Sequence, residues 1–502
     1  MNKNLVLYIY LILLTLVGPA VFWLLNSNKS PGVTASEIQN QEVGKDIATL
    51  NSKQMSWGQQ ILVIEDNSPE KQAATKAYAA GDYSTAVKQF KASLQSNRND
   101  PESLIYLNNA TAARQGKTIK IGTSVPVGGN LNVAREILRG VAQAQQEVNQ
   151  NGGIEGKLLQ VEIANDNSSP AVAKQIATEF AKDRHILAVI GHNASEASVA
   201  AAPIYQQAGL VMISPTSVAR NLSGIGSYIF RTTPSSKAMA SVLAEHIVKS
   251  ARKTKVAICF ASKTEASQSF QEEFITAVFE NGGKVLRTAC DFSDSNFDAG
   301  EAPSQAISAG AEALVLAPSL GGVHHAIGVL HATKGRLPIF GSQTMYVMET
   351  LKQGQEDANR MVIAVPWHSG LETGGSFTTN ANKLWGGSAN WRMAMAYDAT
   401  LVAISGLKLG QSREQVQQAL SNSGFVVQGA TGAIQFLPSG DRLLKASLVW
   451  VQPSKESGTN YDFAPLKNSA LGVPSPPAIV PNSSAKSSSV PKSSAKSSSP
   501  KN

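Results

Sequence analysis

The sequence predicts an α/β protein of two doubly wound parallel sheets, preceded by a small α-helical segment and an apolar N-terminal stretch. Three observations predict it. From Thr118 onward, short apolar runs alternate with helical patterns through Gly- and Pro-rich loops, as in a parallel sheet with helices on both faces. The alternation continues well past Pro215, giving too many strands for one compact sheet, so two lobes fit better. Both ends of the 502-residue chain depart in composition from this middle.

Residues 5–25 carry no charge and are long enough to cross a bilayer as a helix. Lys3 precedes them, and Tyr8, Tyr10, Phe22 and Trp23 lie towards the ends of the run, where interfacial aromatics belong. A cleaved signal peptide is the competing reading, but the run is too long for an ordinary signal core. We therefore expect a membrane anchor at 1–28, with the body outside the cytoplasm. A polar linker follows over 29–69, in which Ile61 to Ile64 read as a short strand or packing clip.

Over 70–116 the chain reads as helices. Ala73, Ala74, Ala77 and Tyr78 lead into a Gly81-Asp82-Tyr83 turn; Ala86, Val87, Phe90 and Leu94 mark a second helix, and Asp100-Pro101 starts a third. Small residues at helix crossings and this turn resemble one tetratricopeptide unit plus a further helix. Such repeats need about three copies to stand alone, so the segment is expected to pack on the main body as a spacer.

The run 118–215 is the most informative. Ile119 and Ile121 belong to a buried strand ending in a Gly/Pro/Ser loop, followed by a helix burying Ala134, Ile137, Leu138, Val141 and Val148. That helix stops at Asn151-Gly152-Gly153, where glycine takes the left-handed conformation. A second strand alternates Leu159, Val161 and Ile163 with polar residues, and Ser169-Pro170 caps the next helix. Two more strand–helix units end near Ser214. Beyond it, strands are expected at 256–260, 285–288, 313–317, 339–340, 361–364, 434–436 and 448–451, with a long helix at 391–407.

Net charge is +8, yet the residues from Val451 onward hold six lysines against two acidic residues, half of the excess. No basic stripe with interleaved aromatics marks the core, which argues against nucleic acid as a partner. Residues 454–502 are expected to form a disordered tail, dominated from Pro474 by Ser, Pro and Lys. Cys259 and Cys290 read as small buried hydrophobes, with a disulfide as the alternative in an oxidising compartment. His324, His325 and His331 lack carboxylate or thiolate companions at ligand spacing, so no metal or other cofactor is expected. Gly-x-Ser-x-Gly is absent, and nothing points to an enzyme.

In open α/β sheets, ligands bind beyond the carboxyl ends of strands, where helix N-termini offer free N–H groups to a carboxylate. Two such loops are rich in hydroxyls, His192-Asn193-Ala194-Ser195 and Ser214-Pro215-Thr216-Ser217. Ser195 also suits the helix N-cap.

Four stretches carry a family resemblance: 119–128, Val148 to Gly156 (VNQNGGIEG), Ala188 to Ser195 (AVIGHNAS) and Gly209 to Thr216 (GLVMISPT). With Asn165-Asp166-Asn167 and Gly440-Asp441, they make 117–453 resemble the type I periplasmic binding proteins of the branched-chain amino acid class. The resemblance implies two lobes, 117–234 with 366–431 and 235–365 with 432–453, joined by crossings near Pro234, Pro366 and Thr431. It further implies a small-molecule ligand, an amino acid or amide, held in a gap that closes on it and handed to an ABC permease. It points to Ser124, Asn193, Ser195, Ser214, Thr216, Ser217 and Gln343 as ligand-binding residues. Val218, Ala266 and Gln343 depart from the family pattern, where threonine, an aromatic residue and glutamate stand. A neutral amide offers no charge to an ammonium, which turns expectation away from ordinary branched-chain amino acids; Glu265 is a possible substitute. The alternative is a membrane-tethered ligand-sensing or scaffold protein acting through 70–116.

Overall fold

The computed structural model describes residues 54–371, 375–455 and 457–466. The expected anchor at 5–25 lies outside them, and among the described residues no helix is long and apolar enough to cross a membrane. The chain divides into two compact units. The first takes in the chain up to Met239, with Thr264–Phe270 and Pro366–Ala446; the second holds Ala240–Lys263, Gln271–Val365 and the chain from Ser447. Crossings expected near Pro234, Pro366 and Thr431 compare with divisions after Met239, Val365 and Ala446, and Thr264–Phe270 adds two further divisions.

The first unit opens with a two-residue strand β1 (Met55–Ser56) and three helices, α1 (Pro69–Ala79), α2 (Tyr83–Ser96) and α3 (Pro101–Gln115). Then β2 (Thr118–Val125), α4 (Leu131–Gln150), β3 (Leu158–Asn165), α5 (Pro170–Lys182), β4 (Ile186–Ile190), α6 (Ser195–Ala208), β5 (Val211–Ser214) and β6 (Ile229–Arg231) alternate. Their sheet runs β1-β3-β2-β4-β5-β6, parallel except for β1. The periodicity of α4 was legible: Ala134, Ile137, Leu138 and Val141 are fully buried. The helix Trp391–Leu409 crosses α4 at Gly140, where an added Cβ would lie 2.3 Å from the Met393 carbonyl oxygen.

Side chains of α3 and α4, with the strand β1, close the open edge of this sheet. Along β3, outward-facing backbone groups recur at every second residue. The Asn149 amide takes those of Leu159, accepting from its N–H (2.7 Å) and donating to its carbonyl (3.0 Å). The Asn109 amide does the same for Val161, at 2.9 and 2.7 Å. Ile163 pairs with Ser56 of β1. An edge otherwise open to another strand is thereby occupied residue by residue. The strand or clip expected at 61–64 resolves as an edge strand earlier, at Met55–Ser56, and a 3-10 turn at Ile64–Asp66.

Helices α1 and α3 are joined by a buried ion cluster. Lys71 Nζ lies 2.7 Å from both Asp100 Oδ2 and Glu102 Oε2, all without solvent exposure. Burial alone would push the ammonium down; Glu102 and Asp100 outweigh it and hold it above its ordinary value. Glu102 also accepts from the Leu62 N–H (2.7 Å) and the Tyr106 hydroxyl (3.0 Å).

The second unit holds a seven-stranded sheet in the order Tyr461–Pro465, Ser447–Pro453, Val362–Val365, Ile339–Gly341, Ala313–Ala317, Lys255–Phe260, Lys284–Leu286. Leu314, Leu316, Ile363, Val365, Val449 and Val451 form its core. Two expectations are corrected here. Cys259 and Cys290 form a disulfide, because their buried positions beside one another bring the Cα atoms to 4.6 Å. The tail drawn from 454 begins with a strand: Tyr461–Pro465 pairs antiparallel with Ser447–Pro453 and buries Phe463.

Candidate functional site

Parallel register places the carboxyl ends of β2, β3, β4 and β5 along one edge of the first sheet. Their loops carry Ser124, Asp166, the His192–Ser195 stretch and Ser214–Ser217. Two linked networks form there.

In the first network, Asp166 Oδ2 accepts from Ser124 Oγ (2.9 Å) and lies 2.7 Å from His192 Nδ1; its Oδ1 accepts from the Ser168 N–H (2.8 Å). The other ring nitrogen of His192 faces the Tyr205 hydroxyl at 3.1 Å. Burial would raise the Asp166 carboxyl, but its bonds with His192, Ser168 and Ser124 prevail and hold it below the usual range. Burial, reinforced by the Asp166 charge, pushes the Tyr205 phenol well up.

The second network centres on the His192 carbonyl oxygen. Hydroxyls of Ser198 (3.0 Å), Ser214 (3.0 Å) and Ser217 (3.2 Å) all point to it. Thr216 Oγ1 donates to the Asn193 carbonyl at 3.0 Å, and Ser195 Oγ accepts from the Ala219 N–H at 3.3 Å. Behind the loop, the buried Arg231 guanidinium donates to the carbonyls of Ala219 (2.8 Å) and Ser217 (3.3 Å), to Ser223 Oγ (2.6 Å) and to Asp441 Oδ1 (2.6 Å). The loop is thus held from both sides.

These bonds sort the expected residues. Ser124, Ser214 and Ser217 are wholly buried, with hydroxyls engaged inside the protein. Asn193 is partly exposed, whereas Ser195 and Thr216 beside it are buried, at 4% and 7% exposure, with hydroxyls engaged by the Ala219 N–H and the Asn193 carbonyl. Gln343 belongs to the second unit, in a 3-10 turn after Ile339–Gly341, where its buried Oε1 has no hydrogen-bond partner among the described residues. Glu265, weighed as a compensating charge, accepts from Asn221 Nδ2 at 2.9 Å.

The start of α6 differs from its neighbours. A side chain caps each of the other five helices opening this unit: Ser68, Asp82, Asp100, Asn130 and Ser169. Helix α6 has Ala194 at its N-cap and no side-chain cap. Ser195, read from the sequence as a cap, is instead the first helical residue, and its hydroxyl turns to Ala219. The opening amides are left for an acceptor from elsewhere. The sequence reading missed two groups nearby. Ser236 donates its N–H to the Val218 carbonyl (3.0 Å), and the hydroxyls of Ser236 and Thr233 are buried without a partner among the described residues. The Thr232-Thr-Pro-Ser-Ser run was the available signal.

Residues 118–457 match the model of a family described as periplasmic binding protein. The chain belongs to that family. Its curated relatives are solute-binding proteins and not enzymes. Among them, an amino acid binding protein from Pseudomonas aeruginosa is 29% identical over 28% of this chain and 38% of its own length. Leu/Ile/Val-binding protein homolog 1 of Brucella abortus is 28% identical over 36% of this chain and 49% of its own. The chain therefore spans less than half the length of these relatives. Solved structures share the fold over far more of it. The leucine binding protein LivK of Thermotoga maritima superposes with a TM-score of 0.61 at 19% identity, covering 69% of this chain and 98% of its own. LivJ of Streptococcus pneumoniae, in complex with isoleucine, gives 0.60 at 20% identity over 70% and 100%. An ABC transporter solute binding protein from R. palustris, in complex with benzoate, gives 0.59 at 17% over 70% and 96%. The family match begins at 118, so the helices α1–α3 stand outside it, and nothing in the comparisons identifies them as a tetratricopeptide unit.

Proposed function

We propose that this protein is an extracytoplasmic receptor for a small polar ligand bearing a carboxylate, an amino acid or a related amide, and that it serves an ABC importer. The observation that carries this reading is the uncapped start of α6 beside Asn193, Ser195 and Thr216. A helix N-terminus with free amides stabilises a carboxylate there, and the rigid hydroxyl networks fix the amides before the ligand arrives. Solute-binding relatives that include amino-acid binders support the ligand class. The departures at Val218, Ala266 and Gln343 turn the proposal away from a standard branched-chain amino acid. Residues 5–25 would tether the body to the membrane and 70–116 would act as a tetratricopeptide-like spacer; the disulfide suits an oxidising compartment.

A second reading, a tethered sensing or scaffold protein acting through 70–116, draws on the internal engagement of Ser124, Ser214 and Ser217. A thermal-shift screen of the full chain against amino acids, amides and small carboxylates separates the two. A true ligand at a hundred times its dissociation constant adds about 2.7 kcal/mol. A saturable shift with one compound class supports the receptor, and silence across all three classes leaves the scaffold.

A further inference from the structure

A pocket lies on the first unit, at the other end of the sheet from these loops. Thr118 and Lys120 open β2, and Gln160 falls early in β3; together with residues of the preceding segment they line an open hollow of about 460 Å³. Most of its wall comes from chain that the family match leaves out: Trp57, Gln59, Tyr78 and Tyr83.

This wall is built in place. Trp57 is carried on a loop tied to β1, where Ser56 Oγ donates to the Gln60 carbonyl (2.9 Å) and accepts from the Gly58 N–H (3.0 Å). Asn109 Nδ2 donates to the Trp57 carbonyl (2.8 Å), and Gln59 Oε1 accepts from the Trp57 N–H (2.8 Å). Gly58, at φ +137°, lets the loop lie against the Tyr78 ring, which a Cβ there would meet at 3.0 Å. Tyr78 and Tyr83 pack edge to face with centroids 5.3 Å apart, and Lys120 Nζ stands 4.9 Å from the Trp57 ring. Among the described residues, the Trp57 indole N–H and the Tyr83 hydroxyl have no protein partner.

The lining holds three aromatic rings, two of them phenols, the Thr118 hydroxyl and an ammonium. It also holds the exposed Gln59 amide, the buried Gln160 amide, whose Nε2 donates to the Asn109 carbonyl (3.0 Å), two Ala and a Gly, and no Leu, Ile, Val, Met or Phe. An aliphatic ligand would find no matching wall, and a bare anion would find a single cation. Flat C–H faces pack on aromatic rings, while amides both donate to and accept from hydroxyls around a rim. That combination describes a sugar ring, and Lys120 adds a partner for an acidic substituent. We infer that this pocket binds an acidic oligosaccharide, with Trp57, Tyr78 and Tyr83 as stacking platforms and Lys120 on the carboxylate.

Calorimetric titration of the full chain with trigalacturonate, with neutral galactotriose and with a decaproline peptide tests this. Trigalacturonate should bind saturably, and Tyr83→Ala and Trp57→Ala should each weaken it about tenfold or more at unchanged unfolding midpoint. Lys120→Met should weaken the acidic sugar about tenfold and leave the neutral one unaffected. Should Trp57→Ala fail to fold, Tyr83→Ala and Lys120→Met decide alone. Absence of binding to both sugars and to a wider glycan array, sugar binding indifferent to both ring substitutions, or binding of decaproline with the sugars silent would each overturn the inference.

Discussion

Two of the buried polar clusters among the described residues of the first unit, around Lys71 and around His192, are built in opposite ways. Around Lys71, full charges meet full charges: the ammonium faces Asp100 and Glu102, and every partner comes from the helical segment or the chain just before it. Around His192, neutral hydroxyls converge on one backbone carbonyl, with Asp166 as the nearby charge. The first cluster is closed and locks helices together. The second holds a loop still while leaving a helix end unsatisfied. Charge buried without an opening reads as architecture, whereas a satisfied loop beside an unsatisfied helix start reads as a prepared site.

The largest expected effect breaks the closed cluster. Lys71→Met leaves two buried carboxylates without their cation and should cost about 3–5 kcal/mol, measured by urea unfolding. A loss under 1 kcal/mol would mean the cluster is hydrated in solution and the contrast is false. Arg231→Leu comes next: it frees the Ser217 and Ala219 carbonyls and strands Asp441, with an expected cost of about 2–4 kcal/mol and faster amide exchange across 217–223.

Glu162 sharpens the comparison through pH. Burial, aided by the Asp183 charge and opposed by Lys120, raises its carboxyl to about 8. The folded state therefore holds this proton more tightly than the unfolded chain, so the associated stability is present below about pH 4 and is lost as pH rises towards 8. Glu162→Gln should flatten the decline in midpoint between pH 5 and 8; an unchanged slope would contradict the assignment. Ser195→Ala should have the smallest effect on stability, within about 1 kcal/mol, since only the Ala219 N–H loses its acceptor. Its main effect should be on ligand affinity.

Much of the fold was legible because helical periodicity and Gly/Pro loops are local signals. The burial of Ala134, Ile137 and Val141, and the stop at Asn151, follow from spacing alone. The closure of β3 was not legible, since Asn109 and Asn149 serve strand residues through side-chain amides brought in by packing. The site was half legible. Hydroxyl-rich loops were located, but composition does not tell a hydroxyl facing solvent from one serving its own loop, and Ser124, Ser214 and Ser217 serve the loops. The cap reading weighed for Ser195 beside ligand contact fails because the helix starts one residue earlier than hydroxyl chemistry suggests, after Ala194, a poor capping type. The strand Tyr461–Pro465 was hidden by the Ser- and Lys-rich sequence beyond it.

On the proposed function, the opening amides of α6 receive a ligand's carboxylate. Calorimetry of the full chain with the strongest hit from the ligand screen and with its decarboxylated amine puts it directly to the test, in wild type and Ser195→Ala. The carboxylate compound should bind tightly, at least tenfold more weakly in Ser195→Ala, and the amine should not bind measurably. Equal affinity for the two compounds, or a Ser195→Ala variant that binds as wild type does, would contradict it.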